Sequence, residues 1–147
     1  RHFPRGRASE VVEIAGRELL RHQAADGHLP AEHAEAPAAP HLADLIYTDN
    51  WAALAFRHLF LLTGDPAYCA AADRSLAFLA RIQDRSPSPL FNGCWRGMYD
   101  TRAGAWGGGD RYEGGANSIY TGWTNAPIAW AFLMGMDVPC SLFGSGE

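Results

Sequence analysis

Apolar residues recur at helical spacing over most of the chain. In "ASEVVEIAGRELLRHQA", Val11, Ile14, Leu19 and Leu20 fall near one face, which predicts an amphipathic helix over residues 8–24 with Ser9 as its N-cap. Gly27 and Pro30 in "DGHLP" end it, and the Ala/Pro-rich residues 31–45 read as a connecting loop. A second helix is expected over residues 49–63, starting at Asp49, whose side chain can cap free N–H groups, and stopping at Gly64. Asp65-Pro66 restarts the chain as N-cap and first helical residue of a third helix over residues 65–84. Two long helices joined by so tight a turn must be antiparallel neighbours. "SPSPLFNG" breaks the periodicity, and a long Gly/Trp-rich loop is expected over residues 93–117. A fourth helix follows over residues 121–135, with Pro127 early enough to be tolerated, and residues 136–147 read as a tail. The fold class is all-α.

Two echoes order these elements. "ELLRHQAADGHLP" resembles "AFLARIQDRSPSPLFNG": each closes a helix with Arg-x-Gln, then an aspartate, then a Gly/Pro break. "LIYTDNWAALAF" resembles "SIYTGWTNAPIAWAF": each sets Ile-Tyr-Thr before a helix rich in alanine and aromatics. Gln23 and Gln83 lie 60 residues apart and the two triplets 73 apart, within the loose period of helical hairpins with variable loops. The order is outer, inner, outer, inner.

Composition narrows the function classes. With 48% hydrophobic and 19% charged residues over 147 positions, the chain is globular in composition and reads as a single domain. All twelve basic residues are arginine, scattered among sixteen carboxylates, and the net charge of −4 argues against a nucleic-acid partner. No apolar run approaches the roughly 18 residues of a membrane span, so no membrane partner is expected. Cys69, Cys94 and Cys140 lack Cys-x-x-Cys spacing, and their odd number suits buried or incidental thiols better than a disulfide framework. The chain opens on Arg1 rather than methionine, which makes it readable as the C-terminal part of something larger.

Here the motifs carry a resemblance. The Gln-x-x-Asp-Gly ending, the "TGDPAY" turn between paired helices, and the long Gly/Trp loop before an alanine-rich helix resemble the (α/α)6 toroids of the six-hairpin glycosidase superfamily. That group includes glycoside hydrolases, uronyl hydrolases, epimerases and, in related toroids, polysaccharide lyases. The resemblance spans about residues 8–135 and implies antiparallel hairpins forming part of a toroid, a carbohydrate substrate, and a missing N-terminal part of the same chain as structural partner. No family catalytic residue aligns to this chain, and none is carried over.

The stretch "WGGGDRYEGGANSIYTGW" then reads as a carbohydrate-facing loop. Its glycines let the backbone approach a ligand closely, while Asp110, Arg111, Tyr112 and Glu113 supply chemistry that a flexible spacer would lack. Trp95, Trp106, Tyr112, Tyr120 and Trp123 offer stacking faces; Asp100, Asp110, Glu113, Asn117 and Asn125 offer hydrogen bonds; Arg96 and Arg111 offer charge. Glycoside hydrolysis needs two carboxyls about 5–5.5 Å or 6.5–9.5 Å apart. Asp110 and Glu113 are the expected pair, with Asp49 as a third candidate at the mouth of the earlier inner helix. Plainer roles compete: Asp49 as a helix cap, Asp65 as a cap, Asp100 in a turn or short hairpin, Asp110 and Glu113 bracing the loop against Arg111 or Arg96. Trp51 and Trp130 fall within helices and read as core. Histidine spacing supports no metal site, "GGGDRYEGG" lacks the EF-hand pattern, and no Gly-Lys-Ser/Thr follows "WGGGD". No cofactor is expected. A lyase acting on a uronate glycan through Arg111, Asn117, Tyr112 and Tyr120, and a non-catalytic glycan- or protein-binding repeat domain, are the alternatives to hydrolysis.

Overall fold

A computed structural model describes residues 7–31, 39–107, 118–119 and 121–137. Within them the chain is mostly helical, with a small sheet. Helix α1 spans Arg7–His22, α2 Asp49–Thr63, α3 Pro66–Ile82 and α4 Ala126–Asp137, the last preceded by a wide π turn at Thr121–Asn125. Strands β1 (Leu42–Asp44), β2 (Met98–Asp100) and β3 (Ala105–Trp106) form an antiparallel sheet in that order, with Ala43 opposite Tyr99 and Tyr99 opposite Trp106.

The two ends of the helical bundle differ. At one end α2 turns into α3 through Gly64, which takes φ 73° and donates its N–H to the Phe60 carbonyl at 2.7 Å. Asp65 then caps α3 by accepting from the Ala67 N–H at 2.9 Å, with Pro66 in the first turn. Helices α1 and α3 end at the opposite end, where α2 and α4 begin, so the sheet and the longer connections gather there. Function on loops held by a rigid scaffold belongs at that end.

Apolar side chains on facing helix stripes supply the core. Leu29, Phe56, Leu59, Phe60 and Tyr68 form one cluster; Leu45, Phe78, Leu79, Ile82, Trp95 and Ile128 form a second. Arg57 of α2 is buried, and its Nη2 pairs with Asp73 Oδ1 at 2.7 Å.

Several expectations need correction. The fold is not purely all-α: β1 lies inside the stretch read as a loop, and β2–β3 lies inside the loop expected over residues 93–117. Ser9 falls within α1 instead of capping it. Thr48, not Asp49, is the N-cap of α2, and the Asp49 side chain turns away to another segment. Helix α4 starts five residues later than expected, after the π turn. Cys69 is disulfide-bonded, whereas Cys94 is a free thiol.

The Gln23/Gln83 echo is repeated in the hydrogen bonding, whereas the bonds further on follow a register three residues longer than that of the Ile-Tyr-Thr triplets. Gln23 and Gln83 both follow the last residue of an outer helix by donating their backbone N–H to the fourth residue before them. Each side-chain amide then donates to the carbonyl of a positive-φ glycine, Gln23 to Gly27 at 3.2 Å and Gln83 to Gly93 at 2.9 Å. The Ala24 N–H donates to the His28 carbonyl, and the Asp84 N–H to the Cys94 carbonyl. One residue further on, the Leu29 N–H donates to Asp49 Oδ1 at 2.8 Å and the Trp95 N–H to Asn125 Oδ1 at 2.9 Å. Asp49 at the start of α2 and Asn125 just before α4 are therefore equivalent in the two units. The contact between the paired helices is also reciprocal: Gly16 of α1 packs against Leu59 of α2 in the first unit, and Leu76 of α3 against Gly135 of α4 in the second.

Candidate functional site

The β2–β3 hairpin is built around Asp100. Its Oδ1 accepts from the Arg102 and Ala103 N–H groups, both at 2.9 Å, and Gly104 closes the turn with φ 65° and an N–H donated to the Asp100 carbonyl at 2.8 Å. The Ala103 bond leads the contacts that hold the Asp100 carboxyl below its ordinary range. This hairpin sets Tyr99 and Trp106 edge to face, ring centres 5.1 Å apart, beside the end of α3.

Beside them, next to the end of α3, lies an open cleft of about 410 Å³. Tyr99 and Trp106 line it together with Arg81, Arg85, Arg96 and Asp84. Asp84 is buried, and burial works against its charge, yet hydrogen bonds from Ser86 and Arg96 hold it ionised below the usual carboxylate range. Arg96 meets Asp84 Oδ2 through Nε at 2.7 Å and also through Nη2, and its guanidinium lies 3.8 Å from the centre of the Phe91 ring. Arg81 reaches Asp26 at 3.1 Å. These ion pairs fix the positions of Arg81 and Arg96 and engage part of their donor capacity.

A second feature lies at the mouth of the inner helices. Tyr47 and Trp123, 52% and 59% exposed, meet edge to face with ring centres 6.5 Å apart. Buried Asn50 fixes the pair from below, donating to the Ile46 carbonyl at 2.9 Å and the Trp123 carbonyl at 2.8 Å. Exposed aromatic faces with anchored backbones suit stacking on a ligand's apolar side.

The structure distributes the expected site residues as follows. Arg96 and Trp106 line the cleft, and Trp123 stands in the exposed pair. Asp100 braces the hairpin. Trp95 is only 7% exposed, donates its indole N–H to the Leu79 carbonyl at 2.8 Å, and stacks on Phe132. Asn125 holds the Trp95 backbone on both sides, accepting its N–H and donating to its carbonyl at 3.0 Å. Asp49 is 1% exposed, and burial pushes its carboxyl well above the ordinary aspartate range despite the bond from Leu29, with Asp44 and Asp26 adding repulsion. Trp51 and Trp130, read as core, are 46% and 51% exposed. Asp110, Arg111, Tyr112, Glu113, Asn117 and Tyr120 lie outside the described residues.

Tyr47, Arg81, Arg85 and Tyr99 were not among the expected site residues. Tyr47 sits in the first Ile-Tyr-Thr triplet, so the echo with the second triplet was a usable signal for it. The two arginines and Tyr99 join the cleft only through the hairpin's fold. Among the described residues no group of three or more His, Cys, Asp or Glu could hold a metal ion, and no helix is long and apolar enough to cross a membrane. Comparison of the chain with protein-family models, curated proteins and solved structures returns no match.

Proposed function

We propose that the chain is a carbohydrate-active domain, part of an (α/α) toroid whose remaining hairpins are of the same kind, and that it meets its glycan at the loop end of the bundle. The observation that carries this reading is the cleft, where Tyr99 and Trp106 stand among the arginines Arg81, Arg85 and Arg96. Pyranose rings present C–H faces to aromatics and hydroxyls to charged groups, and both kinds of partner are in place. Trp106 is followed directly in sequence by the segment carrying Asp110 and Glu113. In the leading reading these two carboxyls act as general acid and base of glycoside hydrolysis. Asp49 supports the scaffold in this account.

The arginines favour a second reading. Arg81, Arg85 and Arg96 suit a uronate-containing glycan, and elimination from such a substrate would use Arg111 and Asn117 to neutralise the carboxylate and Tyr112 or Tyr120 to move the proton. Asp110→Asn and Glu113→Gln, assayed for turnover and for glycan binding by tryptophan fluorescence, separate the readings. Hydrolysis is supported by turnover lost by orders of magnitude with binding kept. Full activity in both variants sinks the carboxylate assignment, and loss in Tyr112→Phe or Tyr120→Phe instead points to elimination. Absence of turnover in the parent with binding intact leaves a glycan-binding module.

A further inference from the structure

Among the described residues, the two units of the repeat carry complementary exposed surfaces. Helix α2 packs along both α3 and α4, and its Ala53 and Leu54 are buried in a cluster with Leu76, Ala131 and Met134. Aligning Asp49 with Asn125 sets Ala53, Leu54 and Arg57 against Ala129, Trp130 and Leu133. The first three are buried and the second three exposed, Trp130 by 51% and Leu133 by 60%. The opposite faces of the inner helices reverse the pattern. Ala131 is buried and Met134 half-buried, because α2 covers them, whereas their equivalents Ala55 and His58 are half-buried and exposed.

The outer helices agree. Ala72 of α3 is buried in one cluster with Phe56 and Leu59 of α2, but its α1 equivalent Val12 is exposed. Val12, Ala15, Gly16, Leu19, Ala55 and Leu62 line an apolar groove of about 310 Å³ between α1 and α2. That groove is the counterpart of the seat that α2 occupies between α3 and α4.

We infer that the α1/α2 groove is the seat for α4 of a second copy of this chain, entering with Ala129, Trp130 and Leu133. The groove continues an interface the chain already makes within itself, and the chain carries both the seat and the face that fits it. This deepens the toroid reading by naming the source of the neighbouring hairpins, and it rests on helix packing independently of the glycan. Because the two surfaces differ, the contact is head-to-tail, and assembly proceeds to a closed ring or a ladder instead of stopping at a two-fold dimer.

The test uses two surface variants and their mixture. Sedimentation equilibrium of the parent chain from micromolar to submillimolar concentration is expected to show assemblies larger than the monomer. Trp130→Glu/Leu133→Glu and Val12→Arg/Leu62→Arg, each alone, are expected to run as monomers with parent-like circular dichroism. Mixed at equal concentration, each keeps one intact surface, so the mixture is expected to reach twice the monomer mass and no further. A parent that stays monomeric throughout overturns the inference and leaves the groove to a hairpin on another polypeptide segment. Assembly that persists in either variant alone, or a mixture that fails to pair, overturns it too. Glycan turnover is read in a separate assay, so failure here leaves the functional proposal standing.

Discussion

Replacing Asp49 by asparagine should stabilise the protein at neutral pH. The Asp49 Oδ2 is buried without a hydrogen-bond partner, while Oδ1 accepts from the buried Leu29 N–H. In the second unit Asn125 performs the same task with an amide, whose Nδ2 also donates to the Trp95 carbonyl. Burial raises the Asp49 pKa, so the folded state holds this proton more tightly than the unfolded chain does. Stability therefore falls as pH rises from the ordinary aspartate range through the folded-state value, each unit of difference costing about 1.4 kcal/mol. Asparagine has no proton to lose and removes that penalty. The expected gain for Asp49→Asn near neutral pH is about 1–3 kcal/mol, roughly 4 °C of Tm per kcal/mol, shrinking toward zero as pH falls to about 4. Asp49→Ala, by contrast, strands the Leu29 N–H and should cost about 1–3 kcal/mol. Thermal melts of the three proteins across this pH range decide the matter. Equal destabilisation by asparagine and alanine at every pH would refute the reasoning, since it would mean that the fold needs an ionised carboxylate there. A glycan turnover abolished in a stably folded Asp49→Asn would refute the scaffold role separately.

Three further outcomes follow from the same geometry. Arg96→Met strands the buried Asp84 carboxylate and should cost about 1–3 kcal/mol by denaturant unfolding; because Asp84 is held below its ordinary range, the stability it contributes is present above the unfolded aspartate pKa and is lost as pH falls through the lowered value. Gly27→Ala should be far more damaging than Gly93→Ala: both glycines have positive φ, but a Cβ on Gly27 would lie 2.2 Å from the Arg74 carbonyl oxygen, while one on Gly93 meets nothing within 4 Å. The Gly93 substitution should then cost only about 1–2 kcal/mol of backbone strain, and similar melting curves for the two variants would contradict the repeat geometry. Thiol titration of the denatured, unreduced chain should find fewer than the three cysteines of the sequence, because Cys69 is disulfide-bonded; three free thiols would contradict this.

Legibility in the sequence followed the range of the interactions. Helix α2 begins and ends where periodicity, Asp49 and Gly64 placed it, and the Asp65-Pro66 restart of α3 is a local signal that the fold obeys. The strands are two or three residues long, too short for an alternating pattern, and they exist because Leu42 to Asp44 pair with residues more than fifty positions away. Trp95 in a glycine-rich stretch looked like a sugar platform, but the Leu79 carbonyl and Asn125 draw it into the core. Superposing Gly27 on Gly93 would have revealed this, because it matches Trp95 with Leu29, an apolar residue two positions past each glycine. The cleft was partly legible through Arg96 and Trp106. Arg81 and Arg85 escaped because they read as the polar, helix-ending residues of α3, and only the hairpin turns that helix end into one wall of a site. Cys69 shows that an odd cysteine count does not exclude a disulfide.

The most direct measurement of the central proposal is a screen of the protein against neutral and uronate-containing polysaccharides, recording new reducing ends and the ultraviolet absorbance of unsaturated uronates in the same reactions. Reducing ends without absorbance are the expected result and support hydrolysis, which the Asp110 and Glu113 variants then locate; both signals rising together would indicate elimination. Silence in both channels, with tryptophan fluorescence unmoved by every glycan, would contradict the carbohydrate reading altogether.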